Sequence, residues 1–207
     1  MIEMKIIIYI LFLLLSCARW EAQSFAPLPQ LLLLNDNSQI KKTMFITSST
    51  VQGNVGITNA DTICNNDSNN IISGIFHALL VDNANRVAST TANAGDNQIN
   101  WAFKPNTTYY RLDKITPVLT TNNNNLFIFG TFYNEVTTSP ITIWTGLNND
   151  WTTSNRHCTN WSTNLPPGNP NDNKGIVGIA NAIDDTFIRE SNAETCDNFF
   201  SLICIEQ

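Results

Sequence analysis

Apolar positions fall into one unbroken block near the start of the chain and, after it, a series of short runs separated by polar, turn-forming clusters. The block runs from Ile6 to Leu15 behind Lys5 and stops at Ser16-Cys17. It has the length of a signal-peptide hydrophobic region and is too short to cross a bilayer core of about 30 Å. Residues 17–42 contain Pro27, Pro29 and the run Leu31-Leu32-Leu33-Leu34 without helical or strand period, and read as a tether. From Thr43 onward the pattern becomes that of a folded domain. Phe45-Ile46-Thr47 predicts a short strand, and a Gly-containing loop at Gln52 to Gly56 follows. Ala60, Ile63 and Cys64 then recur at helical spacing, with Thr58 or Asn59 as the expected cap. Gly74 to Val81 is an apolar run bounded by turn residues and predicts a buried strand; further strands are expected at 126–129 and 141–144. Residues 148–174 are dense in Asn, Pro, Gly and Thr and predict a long looped region. The chain thus divides into a signal peptide at 1–16, an N-terminus and tether at 17–42, and one domain at 43–207.

Composition sharpens this picture. A chain of 207 residues and 23.1 kDa has room for one core, and 43% hydrophobic against 14% charged residues is the balance of a folded chain. The 30 Asn and 23 Thr argue against a helical bundle, because both residues disfavour helix interiors. A net charge of -6 excludes binding of nucleic acid or anionic headgroups through a broad basic surface. A partner led by charge would be basic.

Leu14-Leu15-Ser16-Cys17 looks like a bacterial lipobox, in which Cys17 receives diacylglycerol and becomes the lipidated N-terminus. That motif predicts a lipid-anchored protein of the bacterial cell envelope. Setting Cys17 aside leaves Cys64, Cys158, Cys196 and Cys204, the even set of two disulfides in an exported chain, with three pairings open from counting alone. No two cysteines have zinc-ligand spacing. His157 beside Cys158 suggests a nucleophilic couple, yet neighbouring residues on a strand face opposite ways and a half-cystine offers no thiolate. The chain carries no Gly-x-Ser-x-Gly elbow, phosphate-binding glycine loop or His-Glu-x-x-His motif. Asp184, Asp185 and Glu190 read as a solvated acidic face rather than a glycosidase pair. No enzyme, cofactor or metal is expected.

Trp144-Thr145-Gly146-Leu147, Trp151, Cys158-Thr159-Asn160-Trp161 and the ending from Cys196 to Cys204 resemble the C-terminal half of a C-type lectin-like domain. Asn59 to Cys64, Gly74 to Leu80 and Ser191 to Glu206 are similar in order and spacing to endostatin, and with the lipobox to the leptospiral endostatin-like outer-membrane lipoproteins. The resemblance covers 43–207. It implies an α+β fold with antiparallel strands, one or two helices, a long loop region, and disulfides Cys64 to Cys204 and Cys158 to Cys196. Two such staples are each expected to contribute about 3–5 kcal/mol. Trp101, Trp144 and Trp161 are expected to anchor core and loops, with Trp151 the exposed exception.

On that scaffold the expected ligand-facing loop carries Trp151, Asn164, Asn169, Asn171 and Asp172. Calcium-dependent sugar binding needs several carboxylates, whereas 164–173 has only Asp172, and the lectin's Trp-Asn-Asp is replaced by Ser191-Asn192-Ala193. Arg86, Arg111, Arg156 and Arg189 are scattered, so no strong polyanion site of the endostatin kind is expected. The resemblance implies a surface-exposed binding module for host extracellular-matrix proteins, plasminogen or complement regulators, meeting basic or lysine-binding partners through an acidic surface and exposed Lys104, Lys114 and Lys174. The alternatives are a glycan-binding module and an inward-facing envelope lipoprotein.

Overall fold

The protein is described by a computed structural model covering residues 41–166 and 173–207, all within one unit, Gln39–Gln207. The expected signal peptide, Cys17 and nearly all of the expected tether lie outside the described residues, as do Asn169, Asn171 and Asp172. The fold is α+β, with two sheets, one regular helix and two disulfides.

The strands are β1 (Lys42–Ile46), β2 (Phe76–Ala78), β3 (Thr108–Tyr110), β4 (Pro117–Thr120), β5 (Thr142–Trp144), β6 (Lys174–Ile179), β7 (Ala193–Thr195) and β8 (Ile203–Glu206). Five form a sheet of order β2-β8-β1-β3-β4, and three form a second sheet of order β5-β6-β7. The first and last strands pair antiparallel at the centre of the larger sheet, Phe45 opposite Cys204.

Their side chains explain why these strands read as continuous apolar runs rather than alternating ones. Met44 and Ile46 enter one hydrophobic cluster while Phe45 enters another; Ile203 and Ile205 likewise separate from Leu202 and Cys204. The two-residue period sends alternate side chains to opposite faces, and both faces are covered. One cluster holds the aromatic residues of the loops; the other holds the disulfides and α1 (Ile57–Asn66). Ile57, Ala60 and Cys64 are the buried face of α1, and Cys64 bonds Cys204 with Cα atoms 5.4 Å apart.

The structure corrects several expectations. The pairing of β1 with β3 is parallel, Lys42 opposite Tyr109, so the sheets are not wholly antiparallel. Neither Thr58 nor Asn59 caps α1: the helix begins at Ile57 behind Gly56, whose φ of 68° and missing side chain leave no side-chain cap. The run from Gly74 forms a ladder only over Phe76–Ala78, because Leu79 to Val81 cross between sheets, with Leu79 N donating to Ile203 O and Val81 N to Thr145 O. Residues 126–129 form no strand. Leu126 folds back on the turn before it, accepting from Asn122 N, and Phe127 and Phe129 are apolar because they join the aromatic cluster.

The excess of asparagine has a backbone cause. Among the described residues eleven other than glycine have positive φ, and six of them are Asn93, Asn97, Asn100, Asn106, Asn125 and Asn160. Asparagine tolerates the left-handed region better than most residues, so a loop-built domain uses it where a tight turn must reverse.

Strand β6 was hidden in the sequence by its two glycines. At Gly178 a Cβ would stand 2.1 Å from Phe187 O, so the strand passes too close to the 3-10 turn Asp185–Phe187 to carry a side chain. Gly178→Ala is therefore expected to lower stability by about 1–3 kcal/mol or more, read as a reduced denaturant midpoint.

Candidate functional site

Of the expected ligand-facing loop, Trp151 and Asn164 lie among the described residues: Trp151 is buried, and Asn164 is half-buried with its amide nitrogen on Gln52. Trp151 is 2% exposed. It stacks on Phe129 at 5.3 Å and meets Trp101 and Phe127 edge-on, which corrects the expectation that it would be exposed. The aromatic loops at 101–103 and 126–132 supply the neighbours that bury it. Asn164 donates to Gln52 Oε1 at 3.0 Å, and Gln52 in turn donates to Asp197 O, so Asn164 fastens the loop to the chain ends. Ala193 opens β7, and among the described residues no three His, Cys, Asp or Glu side chains converge as a metal site requires.

The segment Cys158–Trp161 is a single turn of left-handed helix: φ is 49°, 54°, 55° and 56° at Cys158, Thr159, Asn160 and Trp161. Each L residue there costs roughly 1–2 kcal/mol relative to the right-handed form. Several ties hold it. Cys158 bonds Cys196 with Cα atoms 5.7 Å apart, Trp161 Nε1 donates to Val81 O at 2.7 Å, and Gly56 N donates to Trp161 O at 2.9 Å. Asn160 N donates to His157 Nδ1 at 2.8 Å. His157 is thereby a cap whose Nε2 meets the Asn83 carboxamide at 3.0 Å, and its neighbour Cys158 is a buried half-cystine. Gly53 completes this corner, since a Cβ there would lie 2.4 Å from Cys158 Sγ.

Most of the acidic residues that the sequence offered as a binding surface instead hold the chain. Arg86 is fully buried and forked on Asp61, with Nη2 to Oδ2 at 2.6 Å and Nη1 to Oδ1 at 2.9 Å. Its remaining donors reach Ala78 O and Asn100 O, so one guanidinium joins α1, β2 and the following loop. Burial pushes the Asp82 carboxyl up, but the Asn85 carboxamide and the backbone N–H groups of Ala84, Asn85 and Arg86 outweigh it and hold the group below the usual carboxylate range. Asp67 is likewise raised by burial and more strongly lowered by hydrogen bonds from Ser48, Asn69 and Ser49. In Asp113 the Thr116 hydroxyl, then the N–H groups of Thr116 and Ile115, hold the carboxyl at about 2. Asp184 accepts from Thr186 N and starts the 3-10 turn, while Asp185 accepts from Asn149, so these carboxylates serve loops and form no pair. Of the three lysines expected outside, Lys114 is exposed and Lys104 and Lys174 are half-buried.

The open concavity lies elsewhere, at a place the sequence did not mark. The ladder between β1 and β3 ends at Thr43 opposite Tyr110, and β3 turns away at Arg111 toward Thr116. The edge of β1 beyond that point faces a groove of about 730 Å³, floored by Met44 and Ile46 and walled by Ile71, Leu112 and Ile141. Arg111 is the one charged residue lining it. Its Nε and Nη2 donate to Glu135 O at 3.0 and 2.7 Å, and the Glu135 carboxylate stands 3.6 Å from Nη2, beyond hydrogen-bond length.

These features define a disulfide-stapled α+β domain built largely of hydrogen-bonded loops, with one groove along a strand edge. The chain belongs to the family described as protein of unknown function (DUF1554), whose model matches residues 48–183. No curated protein matches it. Among the described residues no helix is long and apolar enough to cross a membrane.

Two outcomes follow for stability. Asp61→Asn leaves Arg86 buried without its counter-charge and is expected to cost about 3–5 kcal/mol in denaturant unfolding. The carboxyls of Asp67, Asp82, Asp113 and Asp184 are lower folded than unfolded, so the stability they add is complete above about pH 4 and is lost as pH falls through their folded values. The melting temperature is therefore expected to drop steeply between about pH 4 and pH 2, with proton uptake on unfolding in that window.

Proposed function

We propose that the protein is a lipid-anchored binding module of the outer membrane, exposed at the bacterial surface, with an endostatin-like variant of the C-type lectin-like fold and host extracellular-matrix or plasma proteins as partners. The observation that carries this reading is the pairing of Cys64 with Cys204 and of Cys158 with Cys196, the connectivity that the resemblance to the leptospiral endostatin-like lipoproteins implies. The lipobox at Leu14 to Cys17 supports the anchor. The groove beside β1 supports a binding role, its lining setting aliphatic residues such as Ile71, Leu112 and Ile141 beside neutral polar ones such as Ser68, Asn69 and Thr137 around a single charged side chain, Arg111.

Acidic residues spent on loops change how such binding works. With Asp61 neutralised by Arg86 and Asp82 buried among backbone donors, recognition on this reading draws on shape and apolar contact as well as on the remaining negative charge. Full-length protein in detergent, immobilised and exposed to plasma and to matrix proteins, is expected to capture a partner and to keep it in about 0.5 M salt, where a bond led by surface charge would be screened. On intact cells, protease is expected to remove the domain, and Cys17→Ser to move the protein from the membrane fraction to the soluble one. A domain that resists shaving, or captures nothing, overturns the reading. Millimolar calcium is expected to leave the melting temperature unchanged; a rise reversed by chelator would favour the glycan-binding alternative.

A further inference from the structure

We propose that the turn between β3 and β4 docks on a bilayer with anionic phosphate headgroups, Ile115 entering the apolar layer while Lys41 and Lys114 meet the phosphates. This rests on the reading of the protein as lipid-anchored and adds the face that the domain turns to its membrane.

The turn is built to hold an apolar side chain in water. Ile115 is 79% exposed, more than any other large hydrophobic residue among the described ones. Asp113 fixes it there: its carboxylate accepts from Ile115 N at 2.8 Å, from Thr116 N at 2.9 Å and from the Thr116 hydroxyl at 2.6 Å. Lys114 takes the left-handed corner, with φ of 57°, and its N–H donates to Arg111 O at 2.9 Å. A turn fixed in this way has little freedom left to lose when its tip is buried, so the gain from taking Ile115 out of water is not cancelled by ordering.

Charge selects the surface. Lys41 lies across the same turn: its Nζ stands 3.5 Å from Lys114 O and 5.1 Å from the centre of the Tyr110 ring. Lys41 and Lys114 are exposed, and Lys42, next in the chain to Lys41, is half-buried. The carboxylates at this end are already matched. Asp113 is spent on the turn, Glu135 faces Arg111, and Glu206 accepts from Thr43 N and the Thr43 hydroxyl. No described carboxylate comes within ion-pairing distance of the three lysines. In a chain of net charge -6 this is a small cationic rim around one apolar tip, not a broad basic surface. An apolar side chain ringed by ammonium groups fits the boundary between headgroups and acyl chains, where each part finds its partner.

The position along the chain names the occupant. Lys41 is the first described residue, and through it the anchor proposed at Cys17 joins the domain, so the turn that Lys41 touches lies at the point of attachment. With a lipid on Cys17 already in the bilayer, a second contact forms without further loss of translational freedom, and a patch of modest affinity is enough to orient the domain.

Acetylation of lysines by a membrane-impermeant ester, read residue by residue in the mass spectrometer, tests this on the protein as purified from its cells. It is labelled in non-ionic detergent, in vesicles of phosphatidylethanolamine with phosphatidylglycerol, and in vesicles of phosphatidylethanolamine with phosphatidylcholine. Lys174, on β6 in the second sheet, is the internal reference and cancels any protein enclosed in vesicles. Relative to Lys174, Lys41 and Lys114 are expected to react at least about fivefold more slowly in the phosphatidylglycerol vesicles than in detergent, and to recover in about 0.5 M salt. Phosphatidylcholine should give little protection. Ile115→Ser, at an exposed position, should weaken protection of both lysines with the melting temperature unchanged.

Equal rates in all three media overturn the proposal, as does protection indifferent to phosphatidylglycerol, to salt or to Ile115→Ser. Protection already present in detergent overturns it as well, assigning the turn to a second copy of the chain if it grows with protein concentration and to another part of the same chain if it does not. The anchor and the patch fail separately. Protein that carries lipid by mass and floats with vesicles, yet labels evenly, sinks the patch and spares the anchor. Protein without lipid whose Lys41 and Lys114 are still protected by phosphatidylglycerol vesicles does the reverse.

Discussion

The pairing of β1 with β8 is the interaction on which the remainder of the structure depends. It joins residues at the two ends of the domain, and closing so long a loop costs chain entropy that few local contacts could repay. Two features offset that cost. Both faces of the pair are buried, so every side chain from Met44 to Ile46 and from Leu202 to Ile205 contributes to a core. The Cys64–Cys204 bond, 140 residues apart in sequence, then removes much of the closure entropy from the unfolded chain. With the centre fixed, long stretches on either side can be left as loops, and the second sheet is attached through Ser201, whose neighbours on β5 are Thr142 and Trp144.

Loops on this scale need their own means of satisfying backbone groups. Aspartates do this work repeatedly: Asp67, Asp82, Asp96, Asp113 and Asp184 each gather N–H or hydroxyl donors from a turn. Asparagines supply the left-handed corners and bond back to carbonyls, as Asn134 does to Pro117 O and Asn69 to Ile46 O. The acidic net charge is therefore largely an architectural property of a domain short of regular structure.

Much of the frame was legible in the sequence and much of the surface was not. Phe45-Ile46 predicted a strand because a central, doubly covered strand is apolar throughout, the 141–144 run because Ile143 and Trp144 are both buried, and Cys64 marked a helix by its spacing from Ala60. The same logic misled at 126–129, where Phe127 and Phe129 are apolar because they pack on Trp151, not because they lie in a ladder. Strands β3 and β4 escaped notice because they are short and polar on one face, with Thr108 opposite Thr120. Nothing in the sequence set Arg86 apart from Arg111, Arg156 and Arg189; the placement of Asp61 on α1, 25 positions away, makes it internal. The groove had no signature at all, because it comes from where one strand stops pairing, and that is set by the divergence of two segments distant in sequence.

The order of strands along the polypeptide bears on its biogenesis. Among the described strands the central strand β1 is made first and its partner β8 last, so during synthesis the larger sheet lacks its centre until the final residues leave the ribosome. Such a chain stays threadable for as long as it is being made. For an exported lipoprotein of the kind proposed above, this topology would delay closure of the larger sheet until after passage through a narrow translocation channel, where oxidising conditions can then join Cys64 to Cys204.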